Sequence, residues 1–263
     1  MLLIDGTRVG DETCLIARSP KFIESHCFAP YESSTYWDTL LRTIPPPSVV
    51  VCDGQKGMLL SIAHCWPLTR TQRCLVHVGR NLRTKLTMHP QSDAGVDLKE
   101  HFDCIWDVAT EFQAQRWSEV FFEMTEYHNI FLGEKSYSSP IDDQAHRGDD
   151  TLKPEPTLSF RPRKRSWWYT HKNVRGAYKQ ITKLLKDDQL FVFLDSRLLS
   201  DIQARDNTAV IPRTTNHLEG GTNSPLKGLL YLHRGMPKKH QKRLAEWYLY
   251  GKSEYQKPPR FCL

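Results

Sequence analysis

No stretch of these 263 residues is apolar for long enough to cross a membrane, and the first apolar run stops at Asp5, too short for the core of a signal peptide. A membrane partner is therefore not expected, and a cytoplasmic address is. Cys-x-x-Cys is also missing. The seven cysteines, Cys14, Cys27, Cys52, Cys65, Cys74, Cys104 and Cys262, are scattered, which argues against a disulfide framework and for reduced thiols. No internal repeat is present. Acidic excess is lacking too: the net charge is +6, and ten Lys or Arg between Pro212 and Leu263 face only Glu219, Glu246 and Glu254. Such a run is commonly a solvated face, but this one begins beside a candidate site acid and so favours a polyanionic partner.

What the chain does have is periodicity. Leu2 to Ile4, Thr13 to Ala17 and Phe22 to Phe28 read as strands. A helix is expected over 33–42, stopped by Pro45-Pro46-Pro47, and then a buried β-branched strand over 48–52. Met58, Leu59, Ile62, Cys65 and Trp66 recur at helical spacing until Pro67 ends the segment. Val78, Leu82 and Leu86 share one helical face. Three further helices are marked by Leu98, Phe102 and Ile105, by Trp117, Phe121 and Phe131, and by Val174, Tyr178 and Ile181.

The expected organisation is a first core part over 1–87, a helical insertion over 88–187 with a mobile loop near 133–165, and a last core part over 188–263. That last part should open with a sheet-like run, Leu190 to Leu194, and carry a basic helix from Pro237 to Tyr250.

Three acids, each followed by glycine, stand out: Asp5, Asp53 and Glu219. A carboxylate held at a strand end is a rigid oxygen ligand for a hard divalent cation. Each also has a plainer reading. Asp-Gly after an apolar run makes a turn, and Glu219, three residues after Asn216, can close a capping box. Gly220 and Gly221 cost about 1 kcal/mol each in a helical turn, which suits a place where another backbone or a ligand comes close.

The motifs Val-Val-Val-Cys-Asp-Gly (49–54), Gln-Arg-Cys-Leu-Val-His (72–77), Arg80-Asn81, Trp-Trp-Tyr-Thr-His (167–171), Thr-Thr-Asn-x-x-Glu-Gly-Gly (214–221) and His-Arg-Gly-Met (233–236) run across nearly the whole chain. In that order they resemble bacterial insertion-sequence transposases of the Mutator-like class. The resemblance implies an α/β fold: an RNase H-like mixed sheet flanked by helices and interrupted by an all-helical insertion. It further implies a catalytic triad of Asp5, Asp53 and Glu219 that holds two Mg²⁺ or Mn²⁺ ions, with Asp5 bridging them, for cleavage at element ends and strand transfer into target DNA.

Other residues follow from the same reading. Arg80, Arg163, Lys164, Arg165, Trp167, Trp168, Lys238, Lys239, Lys242 and Arg243 are expected to touch DNA, the tryptophans by stacking unless one of them starts a helix core face. Cys74 and His77, the family's Cys-x-x-His, and Asn216 are expected to support the site. His101 and Cys104 offer a conceivable second half of a zinc site. A homo-oligomer on DNA, associated with the bacterial nucleoid, is the expected working form. Family members usually carry a DNA-recognition region ahead of the first catalytic strand, and nothing here corresponds to it, so a truncated copy, an isolated catalytic domain or a product of a second start site is expected. Two other functions stay open: a non-catalytic DNA-binding remnant, and a simple RNase H-like nuclease.

Overall fold

A computed structural model describes residues 1–137, 167–204 and 206–254. Most of the expected loop, including Arg163, Lys164 and Arg165, lies outside the described residues. The chain divides into two units, Met1–Asn81 with Val108–Gln115 and Lys183–Leu263, and Leu82–Asp107 with Arg116–Thr182. No helix among the described residues is long and apolar enough to cross a membrane.

The first unit is built on five strands: β1 (Leu2–Val9), β2 (Glu12–Arg18), β3 (Ile23–Ala29), β4 (Val49–Cys52) and β5 (Arg70–Arg73). Their order is β3-β2-β1-β4-β5, with β1, β2 and β3 antiparallel and β1, β4 and β5 parallel. The β4 to β5 connection is α2 (Lys56–Cys65), the helical crossover that parallel neighbours require, and α1 (Ser34–Leu41) joins β3 to β4. After β5 come α3 (Leu75–Leu86), α4 (Asp93–Asp103), α5 (Glu111–Tyr127), α6 (Asn129–Gly133), the short strands β6 (Lys135–Tyr137) and β7 (Trp167–Tyr169), α7 (Lys172–Lys186) and α8 (Ser196–Gln203). The described chain ends in α9 (Asn216–Leu218), a π-helical turn (Glu219–Asn223), α10 (Ser224–Leu232) and α11 (Lys238–Tyr250).

Side chains alternate across a strand, so two cores form. Leu2, Ile4, Val50 and Cys52 pack with Trp37, Leu40, Leu41, Met58 and Ile62 of α1 and α2. Leu3 and Val51 face the other way, onto Leu218, Leu226, Ala245 and Leu249 of the C-terminal helices. The same alternation puts Asp5 and Asp53 on the side of Leu3 and Val51, under the helices that bring Glu219.

Two elements differ from expectation. Strand β5 reads Arg-Thr-Gln-Arg and has no apolar period to reveal it, yet Gln72 is completely buried. Its side-chain amide donates to Leu190 O at 3.1 Å and accepts from Phe193 N at 3.1 Å. Those bonds occupy the backbone of the run Leu190 to Leu194, which therefore forms a 3₁₀ turn over Val192–Leu194 in place of a strand.

Among the described residues the second unit is helical apart from the β6–β7 ladder. Its core stacks His101, Trp117 and Phe121, and two of its buried side chains are paired: His128 Nε2 with Asp97 Oδ2 at 2.7 Å, and Tyr178 OH donating to Ala94 O at 3.0 Å. Trp167 and Trp168 stand on β7 about half exposed, at 49% and 48%, so neither begins the core face of α7. Lys135 Nζ lies 4.5 Å over the Trp167 ring.

Candidate active site

Asp5 is not at the end of its strand but in the middle of β1. It nevertheless sits at a rim of the sheet. The pairing of β1 with β4 runs Leu2 to Val50 and Leu3 to Val51, and β4 stops at Cys52, so Asp5 extends beside the point where Asp53 leaves the sheet. Asp53 begins a tight entry into α2: its Oδ1 accepts from Gln55 N at 2.9 Å, and Gln55 Oε1 caps the helix by accepting from Met58 N at 3.1 Å. Gly54 has φ +81°, and Arg73 lies against it, donating through Nε and an NH2 to Asp53 O at 3.1 and 2.6 Å. A side chain at 54 would meet that guanidinium.

Glu219 opens the π-helical turn, a widened turn of the kind often found at functional sites. Thr215 Oγ1 donates to its Oε1 at 2.6 Å, and Arg80 stands 3.5 Å from its Oε2. Arg18 at the end of β2 clamps this turn by donating to Thr222 Oγ1 at 2.7 Å. Thr215, not Asn216, precedes the helix as its cap residue, and Asn216 is exposed. Among the described residues Gly220 has no neighbour within 4 Å of where a Cβ would lie, and Gly221 has only Arg18 at 3.3 Å, so no second backbone among them explains the pair.

Asp5, Asp53 and Glu219 line one cavity of about 500 Å³, together with Gly6, Glu32, His77, Arg80, Gly220, Asn223, Ser224 and Lys227. Burial, then the charges of Asp53 and Glu219, push the Asp5 carboxyl up to about 7, against an opposing pull from His77. Burial and Asp53 likewise hold Glu32 above its ordinary range. Four carboxylates in one cavity are thus under-neutralised by Arg80, Lys227 and His77.

An acid whose folded pKa is raised opposes folding once it ionises; that cost is absent below the ordinary value of 3.8, grows toward about 7 and is full above it. In chelator, Asp5→Asn is therefore expected to stabilise the fold by about 1 to 2 kcal/mol near pH 8 and by almost nothing near pH 3.5, after discounting for solvent in the cavity. Denaturant melts of both proteins check this, and an equal difference at the two pH values would remove the repulsion.

Cys74 and His77 also meet Glu219: their ligand atoms lie within 4.8 Å of one another. His101 and Cys104 belong to the second unit. His101 Nε2 is engaged with Trp117 O at 3.1 Å, and Cys104 is exposed. Hydrogen bonding to Cys74 raises the His77 imidazole despite burial, and although burial pulls the Cys74 thiol up, hydrogen bonds from His77 and Thr215 outweigh it and leave the thiol below its ordinary value.

Residues 21–131 match the family model described as Transposase, Mutator family. Over those residues the chain is similar to the Mutator-family transposases. It is 39% identical over 71 residues to the transposase for insertion sequence element IS905 of Lactococcus lactis subsp. lactis (strain IL1403), covering 25% of this chain and 18% of that protein. Over 107 residues it is 31% identical to the transposase for insertion sequence element IS1201 of Lactobacillus helveticus, 33% of this chain and 29% of that one. A probable transposase of Corynebacterium diphtheriae is 24% identical over 193 residues, 70% of this chain and 52% of that protein. The matched segments thus span about half or less of these transposases.

The family segment holds Glu32, Asp53, Cys74, His77 and Arg80, whereas Asp5, Glu219 and Asn223 lie outside it and join the site through the fold. Sequence reading missed two of these. Asn223 is 3% exposed and donates through Nδ2 to Asp5 Oδ2 at 2.7 Å; the one signal for it is its place one helical turn after Glu219. Glu32 follows β3 with no motif to mark it, and its carboxylate fills the space beside Gly6 that a Cβ would take.

Proposed function

We propose that this chain carries the catalytic part of a DNA transposase with a D-D-E site that uses Mg²⁺ or Mn²⁺ on an RNase H-like core. The observation that carries the reading is the convergence of Asp5, Asp53 and Glu219, 48 and 166 residues apart along the chain, on one cavity. The strand order β3-β2-β1-β4-β5 supports the RNase H-like name, and kinship with Mutator-family transposases supports DNA as substrate.

The donor set fits hard cations. It is carboxylate oxygen with a nearby amide, and Asn223 Oδ1 is buried without a hydrogen-bond partner. Asp5, Asp53 and Glu219 would hold the ions, which when bound supply Lewis-acid stabilisation of the attacking and leaving oxygens. The remaining groups position and bind. Asn223 orients Asp5, Arg73 fixes the backbone of Asp53, and Thr215 orients Glu219. Arg80 and Lys227 line the same cavity and are placed to bind phosphate. Cleavage at an element end leaves a 3′-hydroxyl, which then attacks a target phosphodiester and displaces its 3′ oxygen. A homo-oligomer that brings two ends together belongs to the same proposal.

Incubating the chain with labelled element-end duplex, target plasmid and Mg²⁺ tests this. Joined product is the expected result. Metal-dependent nicking without joining would make the chain a nuclease, and DNA binding without any nicking would make it a remnant.

A second expectation concerns α11. Lys238 pairs with Asp11 and Lys242 with Glu12, the latter at 3.0 Å, so both lysines must exchange a carboxylate for a phosphate on binding. Exposed pairs contribute at most about 1 kcal/mol, which phosphate can offset. Replacing Lys238, Lys239, Lys242 and Arg243 with glutamine should weaken binding to all duplexes alike and flatten the salt dependence by about 0.9 for each phosphate no longer neutralised. A salt titration with element-end and scrambled duplexes measures it; a weakening confined to the element end would mean that this helix reads bases.

A further inference from the structure

Cys74 is held at the start of α3 from both sides, its N–H donating to Cys52 O at 2.8 Å and its carbonyl accepting from Val78 N at 3.0 Å. His77, three residues on, shares its side of the helix, and Glu219 arrives from the π-helical turn. His77 Nδ1 stands 3.6 Å from Glu219 Oε1, and Cys74 Sγ completes a triangle with no side above 4.8 Å. Sγ is set up as an acceptor, since Thr215 N donates to it at 3.3 Å. His77 Nδ1 is buried and has no hydrogen-bond partner, a costly state for a ring nitrogen unless a ligand takes it up.

A second three-residue group among the described residues, Asp38, His64 and Cys65, is different: His64 Nδ1 already meets Asp38 Oδ2 at 2.8 Å, and Cys65 Sγ donates to Asp38 Oδ1 at 3.6 Å. Its polar atoms satisfy one another.

We propose that Cys74, His77 and Glu219 form a binding site for a single borderline-soft divalent cation, of the zinc class, at the floor of the carboxylate cavity. One sulfur, one imidazole nitrogen and one carboxylate oxygen make a zinc donor set, whereas magnesium selects oxygen alone. Ligands about 2.0 to 2.3 Å from a tetrahedral zinc stand about 3.3 to 3.8 Å apart, so the triangle closes with small side-chain movement. Three protein ligands leave the fourth position for water or an incoming anion. His77 and Glu219 line the cavity, which gives the ion its entrance. Glu219 is shared with the proposed catalytic acids, so zinc here opposes the hard ions; that consequence rests on the proposed function, but the binding does not.

Cobalt titration of the full chain, reduced and stripped of metal, tests the binding itself. The expected result is one equivalent of Co²⁺ giving a thiolate charge-transfer band and the visible bands of a tetrahedral site, both displaced by Zn²⁺. Cys74→Ser should abolish the charge-transfer band, and His77→Ala should weaken zinc by about 100-fold or more, as loss of a ligand exceeds the effect of losing a supporting hydrogen bond. His77→Ala decides the matter if Cys74→Ser does not fold. A missing band, or a band and zinc affinity unchanged in both variants, would overturn the site whatever the chain does to DNA.

Discussion

Asp5→Asn, Asp53→Asn and Glu219→Gln are each expected to lose the proposed metal-dependent DNA cleavage, by about 10³-fold or more, while their folds survive. The size follows from what a bound cation does for phosphoryl transfer, several kcal/mol of stabilisation of the charge on attacking and leaving oxygens, with about 1.4 kcal/mol for each tenfold in rate. The fold survives because none of the three carboxylates contributes to either apolar core, and Asp5 opposes its own burial when ionised. The amide variants keep shape and hydrogen-bonding capacity while removing the charge that holds a cation. Nicking of supercoiled plasmid in Mg²⁺ and in Mn²⁺, beside thermal melts, measures both halves. A variant that nicks at near the wild-type rate takes its residue out of the site.

Substitution of two glycines should separate structure from substrate. Gly54→Ala is expected to destabilise the protein by about 3 kcal/mol: left-handed backbone costs an L-residue about 1 to 2 kcal/mol, and displacing Arg73 from Asp53 O removes charge-assisted hydrogen bonds of about the same size. The Cβ would stand 1.8 Å from the Arg73 guanidinium carbon at φ +81°. Since the same bonds fix the backbone of Asp53, cleavage should fall as well. Gly220→Ala meets nothing within 4 Å among the described residues, so it should leave stability unchanged or raise it by up to about 1 kcal/mol. If that glycine exists to let DNA approach, the alanine lowers cleavage without lowering stability. Urea melts of both variants decide the first contrast, and a Gly54→Ala protein as stable as wild type would show that Arg73 can move aside at no cost.

Much of the local structure was legible from residue pattern alone. Val49 to Cys52 could hardly be anything but a buried strand, since β-branched residues between proline and Asp-Gly leave no other period, and the helices ended by Pro67 and begun by Pro237 lie where those prolines put them. Asp53 and Glu219 could be singled out because each stands in a motif with its own neighbours. Strand β5 could not be read, because its burial is carried by one glutamine whose amide satisfies the backbone of a segment 118 residues away. Asp5 could be chosen as a ligand but not placed, since its position at the rim depends on where a different strand, β4, stops.

The sequence by itself determined most of the elements and the apolar side of most strands, because these rest on periods of two and 3.6 and on turn chemistry within a few residues, and it singled out Asp5, Asp53 and Glu219 as candidate acids. Only the tertiary structure decided that Glu32 and Asn223 join the cavity, that Lys238 and Lys242 are paired, and that Glu219 stands between the carboxylates on one side and Cys74 and His77 on the other. Those are meetings of residues far apart in the chain. No local preference encodes them, because they exist only once the strand register and the packing of α9, α10 and α11 on the sheet have fixed which side chains share a space.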